Sequence, residues 1–219
     1  WDGRINFLNY GNTVSVGLWK ELINFAEKYN FELELKGMGK LIDRNFETET
    51  KLDFEKWIEE FFVDDDFRPR PFQVKVAENV LKYKRGLVES ATGSGKTLIM
   101  FMIFNYLFQR GKINKGLVIV PNVSLLEQTQ EKFIQYNTSN KKIKSKLLFT
   151  NSKYSDDDDV NIYIGTFQTV TKIPSKSTFY DGLDWVCVDE SHYSNSVSIK
   201  NIIRNCNNLK YRFGLSGTT

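Results

Sequence analysis

From Phe72 onward, short apolar runs alternate with longer segments whose apolar positions recur every three or four residues. The short runs fall at 86–89, 117–120, 147–149, 160–164, 185–188 and 211–215. The most apolar of them, such as Leu117-Val118-Ile119-Val120, lack the every-second-residue polarity of a strand with one wet face. They suit a parallel sheet covered on both faces. The longer segments, 73–83, 98–108, 125–136 and 198–206, read as helices. Alternation of this kind predicts a doubly wound α/β domain, with ligands received at the carboxyl ends of the strands.

The first 63 residues follow a different pattern. Residues 4–8 and 13–16 alternate as a hairpin around Gly11-Asn12, and 31–35 alternates again as a strand. Leu18, Leu22, Phe25, Ala26 and Tyr29 share one face of a helix over 18–29, and 54–62 reads as a second amphipathic helix. This predicts a small α+β accessory domain over 1–63. Its aromatics, Trp1, Phe7, Tyr10 and Trp19, suit a small core better than base stacking. Val63-Asp64-Asp65-Asp66 followed by Arg68-Pro69-Arg70-Pro71 predicts a linker over 64–71, leaving 72–219 as the larger domain.

Charge sharpens that division. Residues 1–66 hold 8 Lys/Arg against 15 Asp/Glu, a balance of −7, whereas 67–219 hold 22 against 12, a balance of +10. The basic part suits a polyanionic partner and the acidic part does not. The apolar runs stop well short of the ~20 residues of a membrane span, and no secretory signal is expected. Cys187 and Cys206 make no disulfide framework and read as reduced, intracellular core residues. A single histidine, His192, excludes a multi-histidine metal site. A start at Trp1 and an end in a strand running into a loop predict a fragment of a longer protein. Asp156-Asp157-Asp158-Asp159 reads as a solvated loop, and the lysine run 141–146 as a solvated edge.

The chemistry centres on Ser90-Ala91-Thr92-Gly93-Ser94-Gly95-Lys96-Thr97, placed between a strand and a helix. That is the context of a phosphate-binding loop: glycines let successive N–H groups point inward at an anion, and the helix start adds positive potential. Ser90 stands where the general pattern has its first glycine. Lys96 would reach the β- and γ-phosphates and the Thr97 hydroxyl would hold Mg²⁺. The second signal is Trp185-Val186-Cys187-Val188-Asp189-Glu190, an apolar strand delivering two acids at its carboxyl end. Asp189 would hold the same Mg²⁺, and Glu190 would orient and deprotonate the attacking water.

Together with Ser191-His192 these motifs resemble superfamily-two helicases and translocases of the DExH kind. Four further stretches fall in that family's order. Arg70-Pro71-Phe72-Gln73 is similar to its adenine-reading element, with Gln73 on the base. Residues 120–128, containing Pro121, Asn122 and Ser124, and residues 165–170, containing Gly165, Thr166 and Gln168, are similar to its nucleic-acid-contacting elements. Leu215-Ser216-Gly217-Thr218 is similar to its Ser-Ala-Thr coupling element, with Gly217 in the alanine position. On the residues alone, Ser124 reads equally as a helix cap, Gly165 as a turn glycine and His192 as a loop histidine. The ordered set favours phosphate-backbone contacts for the first two, and for His192 a link to Ser216 and Thr218.

The resemblance implies a RecA-like nucleotide-binding domain and ATP with Mg²⁺ as cofactors, bound by Gln73, Thr92, Gly93, Ser94, Gly95, Lys96, Thr97 and Asp189. It implies an ATP-driven helicase acting on branched or duplex DNA and, by likeness of residues 1–5, 8–10 and 213–217 to a phage member, on RNA–DNA hybrids in the host cytoplasm. It also implies a second RecA-like domain in the same chain, which in this family carries the arginine that completes hydrolysis. Two other readings stay open: the motor subunit of a restriction endonuclease, and a nucleic-acid-binding module with an inactive ATP site.

Overall fold

The computed structural model describes residues 19–30, 46–63, 67–137, 143–149, 157, 159–190 and 196–217. The chain divides into two compact units, Trp1–Lys40 and Leu41–Thr219. In the first, the described residues form helix α1 (Trp19–Lys28) and its following turn. Ala26 is buried, whereas Phe25 and Tyr29 are half exposed with ring centroids 4.6 Å apart. The expected hairpin at 4–16 and strand at 31–35 lie outside the described residues.

The second unit is built on six parallel strands: β1 (Arg85–Glu89), β2 (Gly116–Val120), β3 (Ser145–Leu148), β4 (Ile162–Thr166), β5 (Trp185–Val188) and β6 (Tyr211–Ser216). Their order across the sheet is β1-β6-β5-β2-β4-β3. The helices are α2 (Lys51–Phe61), α3 (Pro71–Tyr83), α4 (Lys96–Gln109), α5 (Val123–Tyr136), the single turn α6 (Phe167–Val170) and α7 (Ser196–Asn205). Strands β2, β4 and β5 are buried along their whole length, as their unbroken apolar runs require. One apolar core lies beneath α3, α4 and α5, and a second joins Leu117, Ile119, Val186 and Val188 to Ile202 and Phe179 on the opposite face. The doubly wound expectation therefore holds. Among the described residues β1 is an edge strand, and Leu87 on it is 82% exposed.

Helix α4 shapes the packing around it. Every residue from Leu98 to Leu107 is buried, so the helix must be covered on all sides. Part of that cover comes from α2, which was expected in a separate domain. Phe54, Trp57, Ile58 and Phe62 enter the same core as α4. Trp57 Nε1 donates to Gln109 Oε1 at 3.0 Å, and Tyr106 donates its hydroxyl to Asp53 at 2.9 Å. Arg110 grips Asp53 with two hydrogen bonds of 2.7 and 2.8 Å and holds its carboxyl below the usual range. The compact unit thus begins at Leu41 rather than after the expected linker, because the aromatic face of α2 and the all-round apolar α4 bury one another.

Trp57→Ala should destabilise the 219-residue chain by about 3–5 kcal/mol, the cost of emptying a large buried aromatic site. Denaturant titration followed by far-UV circular dichroism measures this, and a midpoint unchanged from the parent would restore an independent accessory helix.

Candidate ATP site and nucleic-acid face

The candidate phosphate loop joins β1 to α4, and its shape follows from two left-handed residues, Gly93 at φ +78° and Gly95 at φ +81°. Gly95 also lies so close to the Gln73 amide that a β-carbon there would run into Nε2. Ser94 N–H donates to Ala91 O at 3.0 Å, and Leu98 N–H to Gly95 O at 2.9 Å, closing the turn onto the helix. Ser90 has a local role: its hydroxyl lies 2.6 Å from that of Ser94 across the loop. Its N–H donates to Ser216 O at 2.8 Å and so extends the β1–β6 ladder.

Gln73 is buried, and its amide is spent locally. Oε1 accepts from Arg70 N–H at 2.7 Å, and Nε2 donates to Ser94 O at 2.7 Å. It therefore ties the first turn of α3 to the loop, while one amide hydrogen and one lone pair remain for a further partner.

Strand β5 delivers the two acids. Asp189 N–H continues the ladder to Ile119 O at 2.8 Å, and the Asp189 carboxylate accepts from Glu190 N–H at 3.0 Å. Burial pushes the Asp189 carboxyl above its usual range, opposed by the charge of Lys96 and reinforced by that of Glu190. Glu190 adopts φ +48°, a left-handed conformation that costs a side-chain-bearing residue ~1–2 kcal/mol. The strained turn aims its carboxylate at two partners. Oε1 pairs with Lys96 Nζ, and Oε2 accepts from Gly217 N–H at 3.3 Å. A β-carbon on Gly217 would sit 3.1 Å from Thr92 Oγ1 and 3.4 Å from Lys96 Nζ. The carboxyl ends of β1, β5 and β6 thus bring Thr92, Lys96, Asp189, Glu190 and Gly217 together. His192 and Thr218 lie outside the described residues.

The donor types fit ATP and Mg²⁺. Two left-handed glycines, the N-terminus of the 14-residue α4 and a lysine suit a triphosphate, and the Thr97 hydroxyl with the Asp189 carboxylate suits a hard cation.

The expected nucleic-acid residues gather at the other side of the same sheet end. Pro121, Asn122, Thr166 and Gln168 line a recess of about 310 Å³ together with Val123 and Phe149. Asn122, rather than Ser124, caps α5: its side chain accepts from Leu125 N–H at 2.9 Å. Thr166 is buried, and its hydroxyl caps α6 by accepting from Thr169 N–H at 3.3 Å. Gly165 is not a turn glycine. It pairs inside β4 with Ile119 and Leu148, and a β-carbon there would meet Val170 Cγ2 at 2.9 Å. The lysine run and the aspartate run, read separately, are partners. Lys146 binds Asp157 at 2.9 Å, and Lys144 binds Asp159 at 3.1 Å. Phe149, expected inside a strand, lies one residue past the end of β3 and is 48% exposed.

Residues 66–219 match the family described as "Type III restriction enzyme, res subunit". The chain belongs to that family. It is 28% identical over 226 residues to the ATP-dependent DNA helicase uvsW of Enterobacteria phage T4, with all of this chain and 43% of that protein covered. The crystal structure of the UvsW helicase from bacteriophage T4 superposes at a TM-score of 0.80 and 25% identity, covering 100% of this chain and 76% of that one. The endonuclease subunit of a type I restriction enzyme from Staphylococcus saprophyticus is 29% identical over 167 residues, covering 68% of this chain and 17% of its own length. The chain thus spans less than half of either curated relative.

Membership in the res-subunit family agrees with the superfamily-two resemblance carried by the motifs, and the all-parallel sheet is the RecA-like fold expected from them. No helix among the described residues is long and apolar enough to cross a membrane. Gly165→Ala should lower stability by about 1–3 kcal/mol without any nucleic acid present, because the added methyl overpacks the Val170–Leu148 contact. Thermal unfolding of the isolated chain measures this; an unchanged midpoint would leave a direct ligand contact as the reason for glycine.

Proposed function

We propose that this chain is the nucleotide-binding motor domain of an ATP-dependent DNA helicase. One observation carries the reading: Glu190 reaches both Lys96 on the phosphate loop and the Gly217 amide beyond β6. A purely structural loop has no need of an acid strained into φ +48° to span those two elements. ATP with Mg²⁺ would supply the phosphoanhydride to be cleaved and the cation that neutralises its charge. Gly93, Gly95 and Lys96 would bind the phosphates, Thr97 and Asp189 the cation, and the free amide hydrogen and lone pair of Gln73 the adenine edge. Glu190 would hold the attacking water and accept its proton. Its second bond, to Gly217, would link the residue that follows β6 directly to that carboxylate.

The likeness to the phage T4 helicase supports a finer reading. Its substrates would be branched or duplex DNA and RNA–DNA hybrids, its setting recombination, replication and repair, and its location the host cytoplasm. A second RecA-like domain would supply the arginine that stabilises the developing charge, a contribution of about 10³–10⁵ in rate in GTPases. The 219 residues alone should therefore bind ATP, hydrolyse it slowly and separate no strands. The family description and the type I endonuclease subunit favour a second reading, a restriction-enzyme motor, which uses the same site on duplex DNA.

Lys96→Ala should weaken binding of Mg·ATP to the 219-residue chain at least ~10-fold, read by isothermal titration calorimetry. Equal affinities in parent and variant would overturn the assignment of the loop. Glu190→Gln should retain binding while lowering hydrolysis in the full-length protein by roughly 10²–10⁴-fold.

A further inference from the structure

Strand β1, at the edge of the sheet farthest from β3, carries a surface that neither the ATP site nor the motif order uses. Among the described residues it pairs with β6 alone, so its outward N–H and C=O groups have no strand partner. Beside the exposed Leu87 lies an apolar recess of about 170 Å³, lined by Val186, Val188, Ile199 and Ile203. The sheet register accounts for it. Leu87, Gly214 and Val188 form one row across β1, β6 and β5, and Gly214 has no side chain to fill the middle. Two residues toward the amino end the row is Arg85, Arg212 and Val186, so two guanidinium groups border the recess. Among the described residues neither arginine has an acid partner, and Arg85 Nε is buried without any hydrogen bond. Burial and the adjacent charge of Arg212 hold the pKa of Arg85 below its usual value. An anion placed between the two arginines would relieve both penalties.

We infer that the β1 edge is a docking site for an extended, acidic and apolar segment of a partner protein. The segment pairs with β1, sets a carboxylate against Arg85 and Arg212, and seats an apolar side chain in the recess. Each part of that chemistry answers one feature of the surface. An open strand edge is a template for an extended backbone. An uncompensated arginine pair favours a carboxylate, whose two oxygens match the guanidinium fork. Arg85 and Leu87 lie two residues apart on one face of β1, the spacing of an acid and an apolar side chain on one face of an added strand. Glu89, next on that face, repels acid at the carboxyl end and so confines the partner's carboxylate to the arginines. A duplex DNA backbone would satisfy the charge but leave the apolar recess empty.

The test reads the anisotropy of three fluorescein-labelled hexapeptides, alternating Glu-Leu, Glu-Ser and Lys-Leu, with a blunt hairpin DNA duplex as competitor. The 219-residue chain should bind the Glu-Leu peptide at least ~10-fold more tightly than the other two. Arg212→Glu should weaken that binding at least ~10-fold and turn the preference toward Lys-Leu. Leu87→Lys should weaken it roughly 5- to 10-fold, and its exposed position keeps this variant folded should the charge reversal destabilise the chain. Melting curves that match the parent identify the folded variants. Equal affinity for the Glu-Leu and Glu-Ser peptides would reduce the surface to a plain anion site and overturn the inference. So would displacement of the peptide by the duplex, or a parent chain that binds no peptide. A full-length protein that binds none while the 219 residues do would also overturn it, because the protein's own chain would then fill the edge. None of these readouts depends on the ATP site.

Discussion

The burial of α4 is the constraint on which the rest of this architecture depends. Ten consecutive residues of that helix are buried, and an apolar cylinder of this kind has no stable surface position. The sheet covers one side, α3 and α5 cover the flanks, and Phe54 and Trp57 of α2 complete the enclosure with Phe62 just after it. The same helix carries Lys96 and Thr97 at its first turn. The core that fixes α4 therefore also fixes the direction in which the glycine loop before it points.

Around that fixed end the chemistry is assembled from three strand termini. β1 supplies the loop, β5 the acids and β6 the amide of Gly217. Parallel strands end at the same level, so residues more than a hundred positions apart meet without a long connecting segment. The contact of Ser90 N–H with Ser216 O lengthens the ladder beyond β1 and locks the two loops in register. The loop after β1 and the end of β6 are held by backbone pairing as much as by side chains.

Much of this was legible in the sequence because period and punctuation are local properties. Unbroken apolar quartets disclosed the central strands, and Gly93, Gly95 and Lys96 between a strand and a helix disclosed the loop. What escaped was decided by tertiary partners. The charge change near Asp64–Arg68 suggested a domain boundary, yet the aromatic face of α2 finds its complement on α4. Ser124 looked like a cap, but Asn122 has the extended backbone that a cap needs. Gly165 looked like a turn residue, although its reason is the Val170 side chain packed over it. The pairing of Lys144 and Lys146 with Asp159 and Asp157 joins two charge runs that each looked solvated, and β3 ends one residue earlier than its apolar run, which puts Phe149 in the open.

The buried amide of Gln73 has a consequence for recognition. One side chain clamps the start of α3 to the carbonyl of Ser94, while Ser90 and Ser94 bridge the loop from within. A glycine-rich segment secured at both levels has lost most of its conformational freedom during folding, before any ligand arrives. Association with the proposed phosphate ligand would then have little ordering left to offset, so more of the attraction would be expressed as affinity.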